Sequence, residues 1–242
     1  PDAAVVVTTV RALKAHSGRH KIVAGRPLPD PMLAENPDEV HIGGANLRKQ
    51  IENVRAHGVT PVVAINSMPG DFASEHEAIG QIAASMGVRS AVCTHFAEGG
   101  KGAAGLAEAV AEAASEPGDF RFLYQTRAPL REKIETIAGR LYGADGVDYA
   151  PLAARQLDGY ERNGFGSLPV CIAKTPLSLS HDPLLKGAPT GWRLPVREVR
   201  ASVGAGFVYP ICGDMRTMPG LASNSAAERI DIDENGEIVG LS

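Results

Sequence analysis

The sequence predicts an α/β protein: a mostly parallel sheet with helices on both faces, then a C-terminal strand-and-loop region of α+β character. Three observations lead there. Short apolar runs such as Val62-Val63-Ala64-Ile65 have the length and β-branching of strands buried on both faces. Segments with apolar residues at helical spacing stand between them, Leu130, Ile134, Ile137 and Leu141 being the clearest. The links between these segments are short, which implies right-handed crossovers and parallel strands.

The elements follow in order. Ala4–Val10 reads as a first strand, apolar throughout and expected to be buried on both faces. The Pro-rich stretch from Arg26 to Pro37 reads as a long loop. Leu47, Ile51 and Val54 mark a helix that His57-Gly58 stops. Pro61–Asn66 is a second strand; Ile79, Ile82, Ala83 and Met86 mark a helix closed by Gly87; Val88–Cys93 is a third strand. Leu106, Val110 and Ala113 give another helix, and Phe120–Tyr124 a short strand. After the Leu130–Leu141 helix, Pro151 opens one more, at the first-turn position that suits proline. Val170–Ala173 is strand-like, and after Lys174 Gly and Pro become frequent, with strands expected at Phe207–Cys212 and Glu237–Leu241. We divide the chain into an α/β domain over residues 1–165 and a strand-and-loop region over 166–242 that packs on it.

Composition removes several function classes. The 242 residues are 44% hydrophobic with a formal net charge of -4, enough for a substantial core and without a basic stripe for nucleic acid. No apolar run reaches the length of a membrane span, and no signal peptide is visible. Cys93, Cys171 and Cys212 are widely spaced, forming neither a metal pair nor a disulfide framework, so a reducing cytoplasm is the expected compartment. Each stands in an apolar run and is expected to be a small buried hydrophobe. No metal site is expected, because the histidines are scattered. The chain opens on Pro1-Asp2-Ala3 just before a strand. This fits a piece of something longer, with an apolar face to be covered in a homo- or hetero-oligomer.

Open parallel sheets bind ligands beyond the carboxyl ends of their strands. Asn66-Ser67-Met68-Pro69-Gly70-Asp71 follows the second strand and Thr94–Gly102 the third. Met68 and Phe96 read either as two walls of a slot for a flat ring or as plugs over the core. Glu98, Gly99 and Gly100 precede a helix and read either as a tight loop or as an anion cradle. The run lacks the spacing of a Walker A loop, and no other segment supplies one. Asn66 with Asp71 resembles, at longer spacing, the base-reading loop of some nucleotide hydrolases, the other reading being that Asn66 is a turn former at the end of its strand. Lys174, directly after a strand, reads either as an anion ligand or as a solvated Lys. Met215, Met218 and Pro219 form a loop with apolar knobs, a lid or mere packing.

A family resemblance runs the length of the chain. Val7-Thr8-Thr9-Val10-Arg11-Ala12-Leu13-Lys14-Ala15-His16-Ser17-Gly18 resembles a signature of formate–tetrahydrofolate ligases. Colinear blocks agree: Val62–Asn66, Glu132–Ala138, Tyr142–Val147, Leu168–Thr175, Thr217–Leu221 and Ile230–Ile238. The resemblance implies a reaction joining formate, ATP (with Mg2+) and tetrahydrofolate through formyl phosphate. It also implies that the P-loop lies in a part of the family with no counterpart here, so the fold is a P-loop-NTPase-like remainder without the P-loop. It places the ring-binding positions at Met68, Pro69, Val92 and Phe96, with Met for Phe, Phe for Trp and Val for Leu. Ser17, Pro176, Leu177, His181 and Arg216 also depart from the family pattern. It assigns no catalytic residue to this chain.

The expected function is therefore that of the C-terminal part of such a ligase, inactive without the P-loop half, which a separate polypeptide would supply. The alternative is a non-catalytic folate- or nucleotide-binding or partner module derived from it. An independent nucleotide hydrolase is disfavoured, because nothing in the sequence grips a triphosphate. Which ring enters the slot first, adenine or pterin, is left open.

Overall fold

The computed structural model describes residues 1–23, 26–215 and 228–240. Its first half is a parallel sheet of β1 (Ala3–Thr8), β2 (Thr60–Asn66) and β3 (Arg89–Cys93) in that spatial order. Between β1 and β2 run α1 (Val10–His16), α2 (Asp30–Leu33) and α3 (Pro37–Ala56); α4 (Ala73–Ser85) links β2 to β3. After β3 come α5 (His95–Glu98), a 3-10 turn at Gly99–Ala103, and α6 (Ala104–Ala114).

The middle strand explains the layering. Val63 and Ile65 face a core with Leu13, Val40, Ile51, Ile79 and Ile82 from α1, α3 and α4. Val62 and Ala64 point the other way by the strand's two-residue period and are buried, where the alanine-rich α6 packs on the sheet. Helices on both faces make β2 apolar from Pro61 to Ile65.

The first strand departs from expectation. Val6 packs on the core, but Val5 and Val7 are 42% and 63% exposed. In this structure β1 is an edge strand covered on one face. Its uninterrupted valines hide the alternation that would have marked it so.

The helix around Leu47 begins ten residues earlier than its apolar spacing reveals. Asn36 caps it, its Oδ1 accepting from the Glu39 N–H at 3.0 Å, and Pro37 takes the first turn. Gly43 and Gly44 interrupt the hydrophobic pattern, yet their reason is tertiary. A methyl at Gly43 would lie 1.8 Å from the Leu13 carbonyl oxygen, so α1 and α3 cross backbone to backbone. The Pro-rich stretch before it holds the single turn of α2 rather than loop throughout.

The second half is built on α7 (Leu130–Arg140), β4 (Val147–Tyr149), α8 (Pro151–Arg162), β5 (Leu194–Ser202) and β6 (Phe207–Cys212). β4 and β5 pair parallel, β5 and β6 antiparallel. Leu168–Ala173 runs beside β6, with bridges Val170–Val208 and Ala173–Ile211, so the expected strand there is present as a hydrogen-bonded extension. Leu130, Ile134, Leu157, Leu194, Val199 and Val208 form its core. β5 escaped the sequence reading because Pro195 and three charges break its pattern. A register shift between Val196 and Glu198 moves the buried positions from Leu194 and Val196 to Val199. A small hairpin of β7 (Asp231–Ile232) and β8 (Ile238–Val239) follows.

Two local expectations are corrected. Phe120–Tyr124 is not a strand: Asp119 and Arg121 donate to the carbonyls of Gly58 and His57, so the segment is tied to the end of α3 rather than to a sheet. Cys93 and Cys212 are buried, but Cys171 is exposed, because Leu168–Ala173 lies along β6 with one side open. Burial pushes the Cys212 thiol up to about 12, which keeps it protonated and inert near neutrality.

The outer side of α3 ties the two halves together. Lys49 Nζ, Asn53 Nδ2 and Asn46 Nδ2 donate to the carbonyls of Arg140, Leu141 and Gly187 at 2.9, 3.0 and 3.0 Å. Among the described residues no helix is long and apolar enough to cross a membrane.

Candidate functional site

β2 and β3 lie side by side with Asn66 opposite Cys93, so the loops that follow them leave the same edge of the sheet together. The Ser67 N–H donates to the Cys93 carbonyl at 3.0 Å and joins their bases. This adjacency is what the sequence reading expected.

The first loop is held from three sides. The Asp71 N–H donates to the Met68 carbonyl at 3.1 Å, closing a turn in which Gly70 takes a φ of 87°. Asp71 Oδ2 accepts from the Met68 N–H at 3.0 Å and lies 3.3 Å from His76 Nε2. Arg11 Nη2 donates to the Pro69 carbonyl at 2.8 Å. Asp71 thus spends its carboxylate on shaping the loop. Met68 is half-buried and Pro69 exposed.

The second loop folds onto its own first residue. The Thr94 N–H donates to the Gly102 carbonyl at 2.9 Å, and Thr94 Oγ1 donates to Glu98 Oε2 at 2.6 Å. A methyl at Gly102 would lie 2.5 Å from Thr94 Oγ1, and Gly99 takes a φ of 60°. The glycines therefore serve a tight closure, with Gly99 and Gly100 exposed on its outside. Phe96 is 77% exposed and Val92 is 47% exposed. Cys93 Sγ lies 3.0 Å from His95 Nδ1.

Asn66 stands at the root of both loops. Its Oδ1 is buried and takes no hydrogen bond among the described residues.

Lys174 is half-buried rather than a solvated side chain. Its ammonium donates to the carbonyls of Thr175, Ser178 and Ser180 and lies 4.8 Å from the centre of the Tyr142 ring. Three carbonyls use its three protons, and burial lowers its pKa. It organises the loop after Ala173. That loop and the one after β6 line a common cavity of about 410 Å³ that includes Thr175, Leu177, His181, Asp214 and Met215. Met218 and Pro219 lie outside the described residues.

Sequence reading missed the support beneath the first loop. Lys14 and Glu75 form an ion pair with each side chain 1% exposed. Lys14 Nζ also donates to the carbonyls of Ala34 and Met32 at 2.6 and 3.2 Å. Glu75 accepts from the N–H groups of Asn36 and Phe72 at 2.9 and 3.2 Å. Arg11, one turn before Lys14, reaches the loop itself. The spacing of Arg11 and Lys14 is visible in the sequence, but the partners of both come from segments about twenty to sixty residues away in the chain.

Comparison with known proteins decides the family. A sequence model described as formate–tetrahydrofolate ligase matches residues 1–242. The chain belongs to the formate–tetrahydrofolate ligase family. It is 71% identical over 242 residues to the formate–tetrahydrofolate ligase of Saccharopolyspora erythraea, covering all of this chain and 43% of that protein. It is 62% identical over 250 residues to formate–tetrahydrofolate ligase 3 of Rubrobacter xylanophilus, covering 44% of it, and 58% identical to the ligase of Cutibacterium acnes, covering 43%. The chain thus spans less than half the length of these ligases.

Proposed function

We propose that this chain is the ring-holding part of a formate–tetrahydrofolate ligase and turns over only together with a part that carries the phosphate-binding loop. One observation carries the reading. The family match spans the chain, the chain spans 43% of a 71% identical ligase, and the sequence holds no Walker A loop.

In the whole enzyme a formate oxygen would attack the γ-phosphorus of Mg2+-bound ATP, giving formyl phosphate and ADP. The N10 amine of tetrahydrofolate would then attack the formyl carbon, phosphate would leave, and the amine would lose its proton. This chain's share is to hold a flat ring between Met68, Pro69, Val92 and Phe96 at the carboxyl edge of the β2–β3 pair. Exposure of Phe96 and Val92 beside two loops locked by Arg11, Asp71 and Thr94 supports that reading. Lys174 acts as a loop organiser. The cytoplasm is the compartment where such a reaction would run.

The test is formate-dependent ADP release. The purified chain is expected to release none, and activity is expected when the remaining part of the S. erythraea ligase is added. Silence in the mixture would sink the split-enzyme reading and leave a ring-binding or partner module.

The slot has its own prediction. Phe96→Trp and Met68→Phe restore larger π surfaces and are each expected to tighten ring binding by about 0.5–1.5 kcal/mol. Phe96→Ala is expected to weaken it by a similar amount without lowering the unfolding midpoint, since the ring is 77% exposed. Calorimetric titration of ATP and of tetrahydrofolate checks this, and affinities indifferent to all three changes would remove the slot.

A further inference from the structure

We propose that the seam between the two halves holds a binding site for a small oxyanion, of the phosphate or carboxylate class, beside Lys174. The site shares no residue with the candidate ring slot, and the inference does not depend on that slot.

The argument begins with a seam that is not closed. Asn46, Lys49 and Asn53 tie α3 to the second half, yet a cavity of about 300 Å³ remains there. His16 at the end of α1, Asn46 and Gln50 on α3, Tyr142 after α7, and Lys174 and Thr175 beyond the extension of the second sheet line it. None of its lining residues is an Asp or a Glu.

Charge sets the sign of the occupant. The Lys174 ammonium meets three carbonyls and the face of Tyr142, which solvate it but carry no opposite charge. A half-buried cation without a counterion favours an anion in reach. Lys186 adds a second positive charge, its side chain standing beside Gly18. Burial first, and the Lys186 charge second, hold the His16 imidazole below its ordinary pKa.

Hydrogen bonding makes the occupant an oxyanion. The Gly187 N–H donates to His16 Nδ1 at 3.3 Å, so the neutral ring carries its proton on Nε2. Gln50 Oε1 accepts from Asn53 Nδ2 at 3.4 Å, while Gln50 Nε2 donates to nothing among the described residues. The Tyr142 hydroxyl has no partner among them either, and burial pushes its pKa up to about 12, so it keeps its proton. His16, Gln50 and Tyr142 are half-buried rather than sealed. Spare donors in a positive field without a competing carboxylate complement carboxylate or phosphate oxygens. An anion bound there touches both halves and strengthens their docking.

The experiment uses the 242-residue chain. Calorimetry measures binding of inorganic phosphate and of acetate, and thermal unfolding is followed in both salts against sodium chloride at equal ionic strength. Wild type is expected to bind at least one of the two saturably, and its midpoint is expected to rise with that anion beyond the chloride control. The tighter arm tells whether the site takes a tetrahedral or a planar oxyanion. Gln50→Leu and Lys186→Met are each expected to weaken that binding by about tenfold, with midpoints in chloride close to that of wild type. Lys174→Met should abolish binding; because it also removes a loop organiser, the first two variants keep the test independent of its folding.

Midpoints that follow ionic strength alone in every salt overturn the proposal, as does saturable binding that survives both Gln50→Leu and Lys186→Met. Neither readout uses ATP or tetrahydrofolate, so failure here leaves the ligase reading untouched.

Discussion

Lys14→Met and Glu75→Gln, each alone, are expected to destabilise the protein by about 3–5 kcal/mol, the range for removing one partner of a buried ion pair. Both side chains are 1% exposed, so neither survivor can turn to water. Loss of Lys14 strands a carboxylate and deprives the Met32 and Ala34 carbonyls of their donor. Loss of the Glu75 charge strands an ammonium and weakens the acceptor for the Asn36 and Phe72 amides. The double variant Lys14→Met/Glu75→Leu should lose clearly less than the sum of the single changes, because it leaves no uncompensated charge. Urea unfolding of the four proteins measures the cycle. Single variants within about 1 kcal/mol of wild type would contradict the pairing. The pair also joins α1 to the first turn of α4, beneath Pro69–Asp71, so both single variants should loosen the first site loop.

Lys133→Met is expected to cost about 2–3 kcal/mol by a different route. The Lys133 ammonium is wholly buried and donates to the carbonyls of Gly166 and Leu168 at 2.6 and 2.9 Å. Those carbonyls lead into the Leu168–Ala173 segment that extends the second sheet alongside β6. Methionine fills the volume but leaves two acceptors without donors. The damage should be local: amide exchange at Cys171 and Ala173 accelerates more than in the β2 interior.

The pH dependence follows from burial, which lowers the pKa of Lys133 below its ordinary value of 10.5. The unfolded chain then holds that proton more tightly than the folded one. This group's contribution to stability therefore rises with pH between its lowered folded pKa and 10.5. The Lys133→Met variant should lack that rise, and parallel pH–stability curves for the two proteins would refute the assignment.

The two lysines show where sequence reading stops. Lys133 sits inside a helix whose apolar face was readable, where periodicity assigns a Lys to the solvated face, and Lys14 sits in α1, a helix the sequence reading did not place. Their burial depends on carbonyls delivered by Met32, Ala34, Gly166 and Leu168, which no local pattern announces. Lys174 was equally open, since whether a Lys after a strand meets solvent, an anion or three carbonyls is set by the path of the next six residues. The candidate ring positions were legible through family resemblance, and the adjacency of their loops through strand order. Asn66 was legible as a strand terminator, whereas the isolation of its Oδ1 was not.

By itself the sequence determined the family, the three strands of the first sheet with the helices α3, α4 and α6 between and after them, and the edge at which its loops gather. Those properties rest on hydrophobic period, turn residues and colinear blocks, all local in the chain. Only the tertiary structure decided that β1 is bare on one face, that β5 and β6 pair antiparallel across a register shift, and that buried lysines hold the loops. These depend on which distant carbonyl, carboxylate or strand edge meets each residue, and that is settled by packing rather than by neighbours in sequence.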